Sequence, residues 1–159
     1  MAHPYVLLSA AVSLDGYLDD TGPERLLLSG PEDFDRVDEV RAGSDAILVG
    51  AGTLRTDNPR LLVYSAERRA ARVAAGQPEY PLKVTVSASG DLDPEALFWH
   101  TGGAKIVCTT DKGARRLRGL LPADVDVVAL GADVEWRAVL DHLGDVRGVR
   151  RLMVEGGGR

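Results

Sequence analysis

Gly50-Ala-Gly-Thr-Leu-Arg-Thr-Asp-Asn-Pro-Arg-Leu61 is the stretch on which the reading of this chain turns. It follows directly on Ala46-Ile-Leu-Val49, a short continuous apolar run of the kind that forms a strand buried on both faces of a parallel sheet. Glycines just past such a strand let the backbone come close to a ligand without interference from Cβ. Asp57-Asn58-Pro59 then stiffens the chain: Pro59 is expected to push Asn58 to extended geometry, and Asp57 is placed to bond the turn backbone. In α/β sheets, ligands gather beyond the carboxyl ends of strands. Gly50-x-Gly52 is not the G-x-G-x-x-G dinucleotide fingerprint, so its neighbours must carry the argument.

Working outward, Tyr5–Val12 reads as a strand buried on both faces and is followed by the turn Ser13-Leu14-Asp15-Gly16. A helix is expected from Pro31, capped by Ser29 or Gly30, with Glu32 and Asp33 in its first turn and Gly43 at its end. Phe34, Val37 and Val40 mark its buried stripe. Ser65 caps an Arg/Ala-rich helix that stops at Gly76. Strands are then expected at Leu82–Ser87, Lys105–Thr109, Val125–Leu130 and Arg151–Val154, with helices after Thr110 to Leu121 and after Asp133 to Leu143. This alternation predicts an α/β fold with a central, mainly parallel sheet flanked by helices. A third motif, Val154-Glu-Gly-Gly-Gly158, follows the last strand, and no helix follows it; a sheet ending there keeps an exposed edge, which suggests further C-terminal structure.

Residues 1–159 read as a single domain, with 45% apolar and 27% charged residues, enough to bury a real core. The net charge of −5 argues against a nucleic-acid partner. The apolar run at Val6–Val12 is too short to span a bilayer, and the N-terminus does not read as a signal peptide. One cysteine, Cys108, excludes an intrachain disulfide, and His3, His100 and His142 lack ligand spacing, so no metal site is expected. These features read as a soluble, cytoplasmic protein; the small-molecule partner is implied only by the family resemblance that follows. Cys108 and the two tryptophans, Trp99 and Trp136, read as packing residues.

The order S-L-D-G, then G-A-G-T-x-x-x-D-N-P-R-L, then V-E-G-G, each past a strand, resembles the reductase domain of the riboflavin-biosynthesis deaminase-reductase, a dihydrofolate reductase-like fold. The resemblance runs from Tyr5 to Gly158 and stops short of the family's last strands; no deaminase zinc motif precedes Tyr5. It implies hydride transfer from NADPH to the ribosyl group of a phosphorylated aminopyrimidine, or to a related pyrimidine or pteridine, in a homodimer. A truncated, non-catalytic nucleotide-binding scaffold of the same fold is the alternative. A generic Rossmann dehydrogenase is disfavoured because no glycine fingerprint follows the first strand.

Carried over by position, the resemblance places the cofactor against Ala11, Gly50, Gly52, Thr53, Asp57, Gly156, Gly157 and Gly158. It places substrate at Arg41, Arg60, Leu61 and Glu155, with Asp57 and Glu155 as the catalytic carboxylates. The chemistry suits these assignments, since glycines admit a pyrophosphate, an arginine fork matches a phosphate, and a carboxylate beside a C=N bond relays a proton. Thr109, Thr110 and Lys112, at a strand-to-helix junction, are candidates for the 2′-phosphate that separates NADPH from NADH; an ordinary Thr110 N-cap is the plain reading. Three positions depart from the family: Arg25-Leu26-Leu27 stands for Ser-x-Trp, Tyr64 for a second arginine, and Ser87-Ala88 for Asp-Ser.

Overall fold

A computed structural model describes residues 2–10 and 30–156. Their elements, in chain order, are β1 (Tyr5–Ser9), α1 (Pro31–Ala42), β2 (Ala46–Gly50), α2 (Ala51–Asp57), α3 (Ala66–Ala74) and β3 (Leu82–Ser87). There follow α4 (Leu97–His100), β4 (Lys105–Thr109), α5 (Asp111–Leu117), β5 (Val125–Ala129), α6 (Trp136–Asp141), a π-helical turn (His142–Val146) and β6 (Arg151–Glu155). The strands form one sheet in the order β1-β6-β2-β3-β4-β5, and every pairing is parallel.

The central strands are largely apolar because both faces are covered, with Lys83, Thr85 and Lys105 buried among them as polar exceptions. On one face Ile47, Val49 and Val107 pack with Leu54 of α2, Leu61, Phe98 and Trp99. On the other, Leu48, Val84, Ile106, Cys108 and Leu152 pack with Val139 and Leu143. Cys108 is fully buried, and that apolar setting pushes its thiol up to about 11, leaving it inert at neutral pH.

Several local expectations are corrected. The first strand is not buried on both faces: β1 lies at the sheet edge, with Tyr5 62% and Leu8 78% exposed. An apolar run reports strand propensity but not position in the sheet. Phe34 is 52% exposed, and the buried residue of α1 is Asp38, because this helix docks through polar contacts. Trp99 packs in the core, whereas Trp136 opens α6 at 59% exposure. Where the sequence offered only glycines past a strand, Gly50 is the N-cap of a helix, α2. Asn58 closes that helix in the left-handed region at φ 43°, a conformation its short polar side chain tolerates despite the following proline. No described helix is long and apolar enough to cross a membrane.

Candidate active site at the carboxyl edge of the sheet

β6 enters the sheet between β1 and β2, so Glu155 lies beside Ser9 on one side and Val49 on the other. The Glu155 side chain is only 11% exposed, and Arg41 from the last turn of α1 meets it. Arg41 Nε donates to both carboxylate oxygens at 3.1 Å, and its Nη2 lies 3.1 Å from Oε2. Its Nη1 donates to the Leu62 carbonyl at 3.0 Å. The guanidinium therefore orients the carboxylate and ties it to the segment after Pro59. Two residues expected to touch substrate are brought together, with Arg41 engaged within the protein.

Gly156 turns the chain at φ 85°, and a Cβ there would stand 2.5 Å from Thr53 Oγ1. Thr53 is in the first turn of α2, so the second and third sequence motifs meet at this contact. Asp57 lies four residues further along α2, on the same helix face as Thr53, and is half-buried. A Cβ on Gly50 would meet nothing within 4 Å, whereas Gly52 lies inside α2. Ala11, Gly157 and Gly158 lie outside the described residues.

Leu61 holds φ 56° and is buried among the apolar residues of the α2 face, so its side chain serves the core. Arg60 is exposed, while its carbonyl is held from below by Lys83. Asn58 Oδ1 accepts from the Leu97 amide at 2.9 Å, joining the end of α2 to α4. A cleft of about 270 Å³ opens between α2, at Leu54 and Arg55, and the segment from Leu92 to Trp99; neither Arg41 nor Glu155 lines it.

The third cluster lies two strands away from β2. Thr109 is fully buried, and its hydroxyl has no hydrogen-bond partner among the described residues. Thr110 is an N-cap, accepting from the Gly113 amide at 3.0 Å and donating to the Ala88 carbonyl at 2.7 Å. Of the three, Lys112 is the one exposed. Sequence reasoning missed the polar struts beneath the site. Asp38 accepts from the Tyr64 and Ser65 amides and from Arg68 Nη1. Burial would raise its pKa, but these hydrogen bonds outweigh it and hold the carboxyl below its ordinary value. A lysine inside a buried strand, Lys83, was the available signal for the other strut.

Residues 4–159 match the family model described as the RibD C-terminal domain. The 2,5-diamino-6-ribosylamino-4(3H)-pyrimidinone 5′-phosphate reductase of Archaeoglobus fulgidus is 38% identical over 98% of this chain and 71% of its own length. The enzyme of the same name from Methanothermobacter thermautotrophicus is 33% identical, over 97% of this chain and 68% of its own. Among solved structures, a diaminohydroxyphosphoribosylaminopyrimidine deaminase/5-amino-6-(5-phosphoribosylamino)uracil reductase from Thermotoga maritima superposes with a TM-score of 0.78 at 27% identity. That match covers 98% of this chain and 39% of the Thermotoga protein. Relatives named as reductases of ribosylaminopyrimidine phosphates thus match the sequence, a solved deaminase/reductase matches the fold, and the chain belongs to the RibD C-terminal domain family.

Proposed function

We propose that this protein is an NADPH-dependent reductase of riboflavin biosynthesis, converting the ribosylamino group of a phosphorylated pyrimidine to a ribitylamino group. The observation that carries this reading is the Glu155 carboxylate, clamped by Arg41 at the carboxyl edge of the sheet beside the Gly156–Thr53 contact. The residues there fit a dinucleotide. A side chain at Gly156 would collide with Thr53, and the backbone at Gly50 is open to approach. Gly50, Thr53 and Asp57, with Gly156 and the two glycines after it, would hold the cofactor; Thr109, Thr110 and Lys112 would lie toward its adenosine end. Bound there, NADPH supplies the hydride.

The chain's own groups bind, orient and move a proton. Glu155, when ionised, accepts hydrogen bonds from the substrate's N–H groups, and Arg41 keeps it from rotating away. Asp57 offers a second carboxylate from the end of α2, and Arg60 presents an exposed cation for the phosphate. The same reading takes the protein as a cytoplasmic homodimer.

The test is NADPH oxidation followed by absorbance with two acceptors, the 2,5-diaminopyrimidinone and the aminouracil ribosyl phosphates, and dihydrofolate as a third. Turnover of either ribosyl phosphate and none of dihydrofolate is expected. Tight NADPH binding without turnover of any acceptor would favour the non-catalytic scaffold instead.

A further inference from the structure

Lys83, the second residue of β3, is fully buried. By register it lies between Ile47 and Lys105, on the sheet face that carries Val49 and Glu155. A buried ammonium is unfavourable without close partners. Its Nζ donates to the Arg60 carbonyl at 2.9 Å and to the Thr101 carbonyl at 2.5 Å, and lies 4.8 Å from the centroid of the Phe98 ring. Thr101 Oγ1 lies 3.2 Å from the same Arg60 carbonyl but 2.6 Å from the Leu97 carbonyl. A hydroxyl has one proton, and the nearer acceptor takes it. That leaves Lys83 as the donor holding Arg60.

On the far side of Leu61, the Leu62 carbonyl is held by Arg41, and the Val63 and Tyr64 carbonyls by Arg69 Nη1 at 2.9 and 2.8 Å. Leu61 thus sits between two pinned carbonyls at φ 56°, a conformation a non-glycine residue keeps only where its surroundings over-determine it. We propose that Lys83 is a positioning residue, fixing the Arg60 carbonyl from inside the core, holding Leu61 left-handed together with Arg41, and so setting where the Asp57–Leu62 segment meets substrate. Burial, with Lys105 alongside, lowers the Lys83 pKa to about 7. The neutral amine still has two N–H groups, enough for both carbonyls, so the clamp holds in either state.

The effect on substrate rests on the proposed activity; the clamp does not. Lys83→Met removes the donors and keeps the apolar stem. Trypsin cleavage of the native protein at the Arg60–Leu61 bond, followed by mass spectrometry, is expected to rise about ten- to hundred-fold, the cost of leaving the Arg60 carbonyl unpaired. Substrate KM is expected to rise about tenfold, with kcat within about twofold and NADPH affinity unchanged. Folded Lys83→Met with wild-type cleavage at that bond overturns the proposal. Should it not fold, Lys83→Gln, whose amide ends one bond short of the Arg60 carbonyl, is read the same way. Thr101→Val is expected to leave the cleavage unchanged, and a rise matching that of the lysine variant would overturn the assignment to Lys83. Accelerated cleavage in Lys83→Met, with no turnover of either ribosyl phosphate by the wild type, supports the clamp and refutes the functional reading alone.

Discussion

The Cβ that Gly156 lacks would stand 2.5 Å from Thr53 Oγ1 and 3.2 Å from Thr53 Cβ, so the end of β6 and the first turn of α2 meet with no room for a side chain. Glycine is required there twice over, since Gly156 also holds φ 85°, where L side chains are strained. Gly156→Ala is expected to lower stability by about 1–3 kcal/mol and to weaken NADPH binding about tenfold or more. Thermal melts paired with nucleotide titration check both; wild-type affinity in the folded variant would separate this contact from the cofactor site.

Asp57 shares its helix face with Thr53, and a carboxylate there suits an amide or ribose hydroxyl better than the turn backbone alone. Asp57→Asn keeps the shape and removes the charge. The loss of about 1.5–3 kcal/mol of charge-assisted bonding corresponds to a ten- to hundred-fold fall in NADPH affinity or turnover. The melting temperature is expected to fall less, in proportion, than cofactor handling does. A sharp drop in melting with normal turnover would make Asp57 a structural residue.

Asp38 is buried and takes three donors, so Asp38→Asn places an amide N–H against donors and is expected to cost about 1.5–3 kcal/mol. Its carboxyl is held below the ordinary 3.8. A depressed carboxylate stabilises the fold fully above its unfolded value, and that contribution is lost as pH falls through the folded one. Urea unfolding across the acid range should therefore show the gap between wild type and variant closing below about pH 4.

Lys83 gives a slope of the same sign in a higher pH window. Its folded value is about 7 against 10.5 in the unfolded chain, so between them the unfolded state binds more protons and stability rises with pH. Below pH 7 both states are protonated and the penalty is constant. Relative to Lys83→Met, the wild type should gain up to about 1.4 kcal/mol per pH unit across that window. Urea titrations of both proteins between neutral and alkaline pH measure it, and a flat difference would mean the lysine titrates as it does in water.

The strands, the helix capped by Ser65, the end of α1 at Gly43 and the parallel class were legible from sequence, because apolar runs, caps and glycine stops act within a few residues of chain. Spacing within Gly50–Leu61 likewise carried the family resemblance. The side-chain roles were less legible. Phe34 reads as core but is exposed, the Leu61 side chain is buried in the core where its role was read only from the family, and Thr110 takes the N-cap that was its plain reading.

Local pattern by itself determined that β1 and β6 exist and that a glycine follows Glu155. Only the tertiary structure decided that β6 inserts between β1 and β2, and the place of Glu155 and Gly156 in the site follows from that insertion. It puts Glu155 within reach of Arg41, 114 residues earlier, and Gly156 against Thr53. The β2–β3 register, in turn, sets Lys83 on the same sheet face, within reach of the Arg60 carbonyl. Backbone preferences are set by neighbours in the chain, whereas strand order is set by which apolar faces and buried charges can be satisfied together, and that is a property of the whole fold.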